Sequence, residues 1–512
     1  MDVFSSLGHG FEVALTFQNL GLAFIGCLLG TVIGALPGLG PSNGVAILIP
    51  LSFSLGLDAT AALILLTSVY YGAMYGGRIS SILLNIPGDE PAVMTTLDGY
   101  PMARAGKAGE ALAISGIASF VGSFIATWGL VFLAPQLVKV ALLFGPAEYF
   151  ALYVLAFATL GGISSANQAK AAFAAALGLG IAMIGVDGQT GVPRFSFGTV
   201  HLYDGIDFLV AIVGLFALSE VLIFLEHRGE GEVHGKVAIG RPVASWAVLK
   251  HCTPAMLRST VIGFVAGVLP GAGASLGSFM AYATEKNISN RDKTFGTGDP
   301  RGVAAPEAGN NAAAGGALVP MLALGVPGSG TTAVLLAVLL SLNITPGPLL
   351  FAQHPDVVWG LIAALFMANV MLIAMNLPLV GIFARVLLIP PRFLMPLVAM
   401  ISFVGIYGIN GSTFDLYEMV VFGMLGWVLR KFDVPLVPVI MGVLLGNQME
   451  ANLRRALTIS NGDWGALLHS PLAIALWVLA AVGFLLPIVV GKRVKARMAR
   501  AKGELAEAMD AD

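Results

Sequence analysis

An interrupted apolar segment near the start of the chain constrains the fold more than any other feature. Residues 34–53 read GALPGLGPSNGVAILIPLSF, which is apolar enough for a membrane helix but contains Pro37, Gly38 and Pro41. Proline removes a backbone donor and clashes with the preceding turn, while glycine adopts dihedral angles that other residues avoid. We therefore expect the helix to unwind near Pro37 and to restart around Pro41. Such irregular backbone persists at membrane depth only where it is buried in protein or lines a wet cavity.

The same pattern returns in the second half of the chain. The sequence GALPGLG at residues 34–40 corresponds to GVLPGAG at residues 267–273. Two further landmarks, Gly76-Gly77 and Pro87-Gly88, recur as Gly315-Gly316 and Pro327-Gly328, at an offset of about 235 to 240 residues, which indicates a duplication. The stretch between each glycine pair and the following Pro-Gly is too short to cross a ~30 Å hydrocarbon core, so we expect it to be a second break or re-entrant piece. Paired broken segments in two halves are typical of a transporter binding site.

The composition indicates a polytopic membrane protein. Of 512 residues, 57% are hydrophobic and 11% are charged, where a soluble domain carries roughly 25% charged residues. The formal net charge of -2 gives no basic excess for nucleic acid. No His-Glu-x-x-His motif occurs, and we expect no nucleophile elbow, no enzyme and no catalytic residue. We also expect no cofactor or bound metal beyond a coupling Na⁺.

The predicted architecture is an all-α membrane protein with two inverted structural repeats, broken helices or re-entrant hairpins, and about 10–13 membrane segments. The predicted divisions follow the changes in polarity along the chain. They are an interfacial segment at 1–18, a first repeat at 19–225, a cytoplasmic connector at 226–252, a second repeat with a final span at 253–490, and a basic cytoplasmic tail at 491–512.

The distribution of positive charge predicts the orientation of the two halves. Residues 1–60 contain no Lys or Arg, whereas the second broken segment is preceded by Lys250 and Arg258 and followed by Lys286 and Lys293. Because short cytoplasmic loops gather Lys and Arg, the first break should open from outside and the second from the cytoplasm.

The breaks also predict where an anionic substrate would bind. Backbone N–H groups at restarted helix N-termini attract anions, and the helix dipole adds to this attraction. The residues of the predicted substrate cradle lie at the four breaks: Gly38, Gly40, Ser42, Asn43, Gly88, Gly271, Gly273, Ser275, Gly328 and Ser329. The alternative is that these Gly-Pro breaks are only kinks that permit tight helix packing.

Coupling cations prefer oxygen ligands, and suitable side chains lie near the breaks. The candidates are Asn85, Thr95, Asn310, Asn311, Thr331 and Thr332. Na⁺ is the favoured ion. For proton coupling the candidates are Asp89, Glu90 and Glu307, because ionisable groups close to apolar segments are functional suspects. The structural alternatives are a solvated turn for Asp89-Glu90-Pro91 and a first-turn helix cap for Glu307.

Arg78 follows the first glycine pair and has two interpretations. Its guanidinium forms either a bidentate pair with a substrate carboxylate or a structural ion pair with Asp89 or Glu90. Replacing Arg78 by Lys without a change in substrate affinity would remove the first interpretation.

The ordered set of these motifs resembles the TctA family, the large permease subunit of bacterial tripartite tricarboxylate transporters. The matching stretches cover most of residues 19–470 and include ALPGLGPSNGVAILIPLSF, ILLNIPGDEPAVMTTLDGYPMARAGKAGEAL, GVLPGAGAS, PEAGNNAAAGGALVPMLALGVPGSGTTAVLL and TPGPLLF. The family usually has a small polar residue where this chain has Arg78.

The resemblance implies an inner-membrane permease that works with a small TctB-like membrane subunit and a periplasmic TctC-like solute-binding protein. Such a permease takes up tricarboxylates or other organic carboxylates by symport, driven by a cation gradient. Elevator-type alternating access is expected by analogy. The alternatives are a stand-alone carboxylate carrier without a binding protein, an intramembrane enzyme or a channel.

Overall fold

The computed structural model describes residues 3–36, 38–162, 167–226, 240–271, 273–290, 292–387 and 391–485. Within these ranges the chain is dominated by helices, and the strand pairing that they contain is a short antiparallel one between Gly185–Val186 and Pro193–Arg194. Five helical stretches are long and apolar enough to cross a membrane: Phe17–Ala35, Ala59–Leu84, Val93–Ala141, Phe208–Glu226 and Pro355–Arg385. The predicted multi-pass helical class is therefore confirmed.

Ten helices lie in the described part of the first half. They are α1 Val3–Ala14, α2 Phe17–Ala35, α3 Gly40–Ser54, α4 Ala59–Leu84, α5 Val93–Met102, α6 Ala108–Ala141, α7 Pro146–Gly162, α8 Gln168–Ala182, α9 Phe208–Ile212 and α10 Ser219–Glu226. A wide helical turn at Ala103–Lys107 joins α5 to α6, and a second one at Val213–Leu218 joins α9 to α10.

Ten further helices lie in the part of the second half that the structure describes. They are α11 Trp246–Val268, α12 Gly273–Ser289, α13 Pro300–Leu324, α14 Gly330–Ser341, α15 Leu350–Gln353, α16 Pro355–Val386, α17 Pro391–Asn410, α18 Thr413–Lys431, α19 Leu436–Ile459 and α20 Pro471–Leu485. Much of the predicted connector and all of the predicted basic tail lie outside the described residues.

The first predicted break is present in both halves, with the same backbone conformation. After α2, Leu36 has φ -76° and ψ 122°; after α11, Leu269 has φ -72° and ψ 121°. The glycines that follow have positive φ at corresponding places, 84° at Gly38 and 75° at Gly271. The interruption and the restart near Pro41 are thus confirmed, although Pro37 itself lies outside the described residues.

The second break of each half lies at Pro87-Gly88 and Pro327-Gly328 and does not extend back to the glycine pairs. Both α4 and α13 run without interruption through their glycine pairs, so the expectation of a break there is wrong. These glycines serve close helix packing instead: a Cβ on Gly76 would lie 2.4 Å from the carbonyl oxygen of Thr31, and one on Gly316 would lie 2.4 Å from that of Phe264. The helices end at left-handed residues in corresponding places, Asn85 with φ 60° and Gly325 with φ 70°.

Glycine contacts fix the direction of the helices within each half. Along α2, Gly26, Gly30 and Gly34 approach the backbone of Leu65, Val69 and Ala73 of α4 in that order, so the two helices run parallel. In the same way Gly263 and Gly267 of α11 approach Gly309 and Ala313 of α13. Because two consecutive long helices run the same way, the shorter helix between them must return. The chain therefore turns back at each first break.

Helix α6 connects the two halves. Arg78 of α4 contacts Ser115 of α6, and a Cβ on Gly315 of α13 would meet both Tyr71 of α4 and Ala126 of α6. Since the later α4 residue meets the earlier α6 residue, α4 and α6 are antiparallel. Helices α6 and α13 run parallel, because Ser119 contacts Glu307 and Ala126 contacts Gly315.

Candidate functional site

Backbone hydrogen bonds join the two breaks within each half. The amide of Gly38 donates to the carbonyl oxygen of Gly88 at 3.2 Å, and the amide of Gly273 donates to that of Gly328, also at 3.2 Å. Sequence segments that are about 50 residues apart are therefore brought together at two equivalent places. These two amides are engaged within the protein and are not available to an anion in this conformation.

Side chains join the breaks across the two halves. The hydroxyls of Ser42 and Thr331 lie 2.9 Å apart, and the Ser275 hydroxyl donates to a Glu90 carboxylate oxygen at 3.2 Å. Ser278 also donates to the carbonyl oxygen of Pro91 at 2.7 Å. Ser42 and Ser275 hold corresponding places after the first breaks, so each restarted helix contacts the second break of the other half. The structure thus brings all four breaks into one region.

Packing explains part of the glycine pattern. A Cβ on Gly88 would lie 2.5 Å from the carbonyl oxygen of Gly34, and one on Gly328 would lie 2.7 Å from that of Gly267. Glycine is required at these two positions because the backbones approach closely, as expected if the glycines permit tight helix packing. A Cβ on Gly38 would meet nothing within 4 Å; this glycine is required by its positive φ alone.

The remaining cradle candidates surround these contacts. A Cβ on Gly40 would lie 3.4 Å from the Cβ of Asp89, and one on Gly273 would lie 3.8 Å from the Cβ of Ser329. Asn43 is buried, and its side-chain oxygen accepts from Arg430 at 3.5 Å. Ser329 caps α14 by accepting from the amide of Thr332 at 3.2 Å.

A buried carboxylate lies beside the breaks. Glu307 is fully buried on α13 and accepts from Thr95 at 2.6 Å and from Ser119 at 2.9 Å. Helix α13 begins at Pro300 and is capped by Asp299, so the first-turn cap proposed for Glu307 is wrong. Three helices, α5, α6 and α13, meet at this one carboxylate.

The six predicted cation ligands do not form a single group. Asn85 is exposed at the end of α4, and Thr332 completes the capping box of α14. The Asn311 amide donates to the backbone oxygen of Glu307 at 3.0 Å. Asn310 is buried, and its side-chain oxygen has no hydrogen-bond partner among the described residues. Local helix geometry therefore explains Asn85, Asn311 and Thr332.

Asp89 is the other polar group at the breaks with an unused oxygen. Its Oδ1 accepts from the amide of Ala92 at 3.0 Å and so starts the turn into α5. Its Oδ2 is buried and lacks a hydrogen-bond partner within the part of the chain that the structure describes. The solvated turn considered for Asp89 does not describe this buried oxygen.

Arg78 is fully buried and binds neighbouring helices. Its Nη1 donates to the carbonyl oxygen of Leu112 at 2.6 Å and to Ser115 at 2.8 Å, and its Nη2 donates to Asn376 at 3.4 Å. Among the described residues no ion pair joins Arg78 to Asp89 or Glu90, so the predicted structural ion pair is wrong, and the guanidinium bonds to α6 and α16 instead.

Sequence reasoning missed Asp98, a buried acid on α5. Its Oδ1 accepts from the backbone amides of Gly296, Gly298 and Asp299 at 2.8–2.9 Å, and its Oδ2 accepts from Tyr282 at 2.9 Å. The available signal was an acid in a stretch that is otherwise predicted to be membrane-embedded, because such a group needs several partners.

A charged cavity of about 780 Å³ lies at the other end of the helices that begin at the breaks. Its lining includes Phe53 near the end of α3 and Ser341 at the end of α14. On its rim Asp187 pairs with Arg454 at 2.9 Å and Arg194 pairs with Glu450 at 2.9 Å. Hydrogen bonds from the amides of Thr190 and Gln189 lower the pKa of Asp187 to about 2.

Comparison with known proteins identifies the relatives of this chain. The sequence profile described as the tripartite tricarboxylate transporter TctA family matches residues 20–441. An uncharacterized 52.8 kDa protein in the TAR-I ttuC' 3' region of Agrobacterium vitis is 39% identical over 501 residues, which cover 97% of this chain and 99% of that protein. An uncharacterized protein in the TAR-II ttuC' 3' region of the same organism is 39% identical over 233 residues, which cover 46% of this chain and 96% of that protein. No solved structure matches.

Proposed function

Because the chain belongs to the tripartite tricarboxylate transporter TctA family, we propose that it is the permease subunit of a symporter that takes up an organic carboxylate down a cation gradient. Its site in the bacterial inner membrane and its cytoplasmic C-terminus are part of this proposal. The observation that carries it is the pair of matched helix breaks, which have the same backbone conformation and lie in one region.

The proposed architecture is a pair of inverted repeats. Helices α4 and α13 hold corresponding places, and the contacts of α6 support opposite directions for them, because α6 is antiparallel to α4 and parallel to α13. Each first break is proposed to be the tip of a re-entrant hairpin. In transporters with this symmetry, a single binding site opens alternately to the two sides of the membrane. Elevator-type movement of the hairpins against the remaining helices is proposed by analogy.

The substrate cradle is proposed at the crossing of the two halves. Ser42, Ser275 and Ser329 supply hydroxyl donors there, and α3, α12 and α14 all begin within this region. A carboxylate would gain hydrogen bonds to hydroxyls and to the first amides of these helices. Gly38, Gly40, Gly271 and Gly273 all stay in the proposed cradle. The amides of Gly38 and Gly273 become available to a substrate if the contacts between the breaks open.

Arg78 is proposed to support the site rather than to bind the substrate. Its guanidinium is already bonded to α6 and α16, and a second, bidentate partner would have to displace those bonds. Substitution by Lys should therefore leave substrate affinity unchanged and lower the thermal stability of the protein.

The proposed partners follow from the tripartite family. A small TctB-like membrane subunit and a periplasmic TctC-like solute-binding protein would form the complete transporter, with the binding protein delivering the carboxylate. The alternative, a carrier that works alone, is distinguished by omitting the binding protein from the same assay.

The test is uptake into proteoliposomes that contain the chain with its partner subunits. A panel of tricarboxylates, dicarboxylates and aromatic acids is supplied under an inward Na⁺ gradient or an inward proton gradient. We expect gradient-driven uptake of at least one acid that is lost without the binding protein. Uptake that does not need the binding protein would support the stand-alone carrier, and no uptake of any acid would contradict the proposal.

A further inference from the structure

The two unused buried oxygens at the breaks suggest a cation site. Asp89 Oδ2 and the Asn310 side-chain oxygen are both buried without a hydrogen-bond partner among the described residues. An unpaired buried oxygen is costly, and an unpaired buried carboxylate is more costly still. Two such atoms within one region therefore require a common explanation.

The packing register of α5 against α13 places these two oxygens near each other. On α5, Asp98 lies against Gly302, and Thr95 contacts Glu307. The two helices are thus antiparallel, and residues nearer the start of α5 lie against residues nearer the end of α13. Continued by one turn, this register brings Asn310 opposite the start of α5, where Asp89 accepts from the amide of Ala92.

The duplication supports the same placement independently. Asn310 corresponds to Tyr70, and Asp89 corresponds to Ser329, by the offset that relates Pro87-Gly88 to Pro327-Gly328. The Tyr70 side chain lies close to that of Ser329. Under the pseudo-symmetry of the two halves, the corresponding pair is Asn310 with Asp89.

The two halves differ in chemistry at this position. Ser329 caps α14, and Asp89 accepts from the amide of Ala92 in the turn that leads into α5. A hydroxyl is sufficient for a cap, and Ser is as good a capping residue as Asp. Asp89 therefore carries a negative charge and a second oxygen that capping does not need.

We propose that Asp89 Oδ2 and the Asn310 side-chain oxygen are ligands of one Na⁺ ion, with Asp89 supplying the charge and the unwound backbone near it supplying carbonyl oxygens. The surrounding charge favours a cation, since Glu90 and Glu307 both lie near Asp89, and Arg78 faces only Glu307 of these acids. Carboxylate, amide and carbonyl oxygens suit a hard cation. The inference rests on the proposed cation-coupled transport and names its ion site.

The test is Na⁺-dependent thermal unfolding of the purified full chain, with NaCl replaced by choline chloride at constant ionic strength. If an ion binds only the folded protein, the unfolding temperature rises as the concentration of that ion increases. We expect the wild-type protein to respond to Na⁺. Asp89→Asn retains a side-chain oxygen for the Ala92 amide, and we expect it to need at least about tenfold more Na⁺ for the same response. If Asp89→Asn does not fold, Asn310→Ala carries the same expectation.

Two controls make the result specific. Asp58→Asn alters another capping aspartate, which accepts from the amide of Ala61 at the start of α4, and should respond to Na⁺ as the wild type does. The double variant Asp89→Asn/Asn310→Asp moves the charge to the other ligand of the same ion and should recover the response. A merely structural role for Asp89 predicts no such recovery.

The outcomes separate this site from the proposed function. A wild-type protein that does not respond to Na⁺, or an Asp89→Asn variant that responds as the wild type does, overturns the site. If the Na⁺ response is as expected but no carboxylate is taken up in proteoliposomes, the site stands and the proposed function fails. Carboxylate uptake driven only by protons supports the proposed function and overturns the Na⁺ site.

Discussion

At the scale of single residues, buried charge is stabilised by partners that are distant in sequence. Asp98 of α5 holds the connection between α12 and α13 through three backbone amides and Tyr282. Backbone donors to a carboxylate are charge-assisted and stronger than neutral hydrogen bonds. This one side chain therefore fixes a loop of the second half against a helix of the first.

Removing that carboxylate should release the loop. Asp98→Ala leaves three amides without their acceptor, and because an unpaired buried donor costs about 1–3 kcal/mol, we expect a loss of at least about 2 kcal/mol of stability. Limited trypsin digestion should cut faster at Lys293, which lies in the loop. Asp292→Ala, at an exposed position of the same loop, is the control. Equal digestion of both variants would contradict the role of Asp98.

The sequence identified candidate functional residues of the site but did not predict which residues they contact. Asp89, Glu307 and Arg78 stood out as ionisable groups near apolar segments, and all three have atoms buried in the protein. The contacts of Glu307 and Arg78 come from α5, α6 and α16, which are far away in the chain, and no local pattern predicts such pairing. For the same reason Asp98 was missed.

At the scale of helices, close backbone contacts set the distance between α2 and α4 and between α11 and α13. A Cβ on Gly30 would lie 2.3 Å from the carbonyl oxygen of Val69, and one on Gly263 would lie 2.0 Å from that of Gly309. Small residues at such crossings allow membrane helices to approach closely. The two contacts are equivalents in the two halves.

Alanine at either of these glycines should force the paired helices apart. We expect Gly30→Ala and Gly263→Ala each to cost about 1–3 kcal/mol or more by overpacking, and to lower the unfolding temperature in detergent. Gly21→Ala on the same helix as Gly30 has open space around its Cβ and should have little effect. Equal stability of Gly30→Ala and Gly21→Ala would show that this contact is not tight.

The sequence predicted the first break of each half correctly because proline and glycine act locally on the backbone. It failed at Gly76-Gly77 and Gly315-Gly316, where glycine has a different physical use. There the missing side chain admits the backbone of a neighbouring helix, and helix propensity alone does not distinguish that use from a break.

The stability of the short strand pair beside the charged cavity should fall at acid pH. Asp187 has a pKa of about 2, below the ordinary value of about 3.9. Its ionised form is therefore favoured in the folded protein, and its contribution is complete above about pH 4 and is lost as the pH falls toward 2. The rate of pepsin cleavage between α8 and α9 should therefore rise as the pH falls from about 4 to 2.

The same ion pairs can be broken at neutral pH by mutation. Asp187→Asn removes the charge that Arg454 and Arg194 share, so trypsin should cut at Arg194 faster at pH 7. Asp204→Asn, at an exposed position in the same connection, is the matched control. No difference between the two variants would contradict the anchoring role of Asp187.

At the scale of the whole molecule, the account requires the two halves to face opposite sides of the membrane. Asp58 lies exposed between α3 and α4, and Asp292 lies exposed between α12 and α13. These are corresponding connections, and the positive-inside rule assigns the second to the cytoplasm.

Cysteine labelling tests this orientation. In a background without Cys27 and Cys252, both of which are buried, Asp58→Cys should react with an impermeant maleimide from outside the cell. Asp292→Cys should react only from the cytoplasmic side. If both cysteines react from the same side, the inverted orientation of the two halves is contradicted.

The measurement that tests the central claim most directly is substrate protection at both restarted helices. Ser42→Cys and Ser275→Cys are made separately in the same background and alkylated with and without the carboxylate that proteoliposomes take up, in the presence of Na⁺. Because Ser42 and Ser275 contact the second breaks of opposite halves, the account predicts that the carboxylate slows alkylation at both positions. Protection at only one of them, or at neither, would contradict a single site built from the two halves.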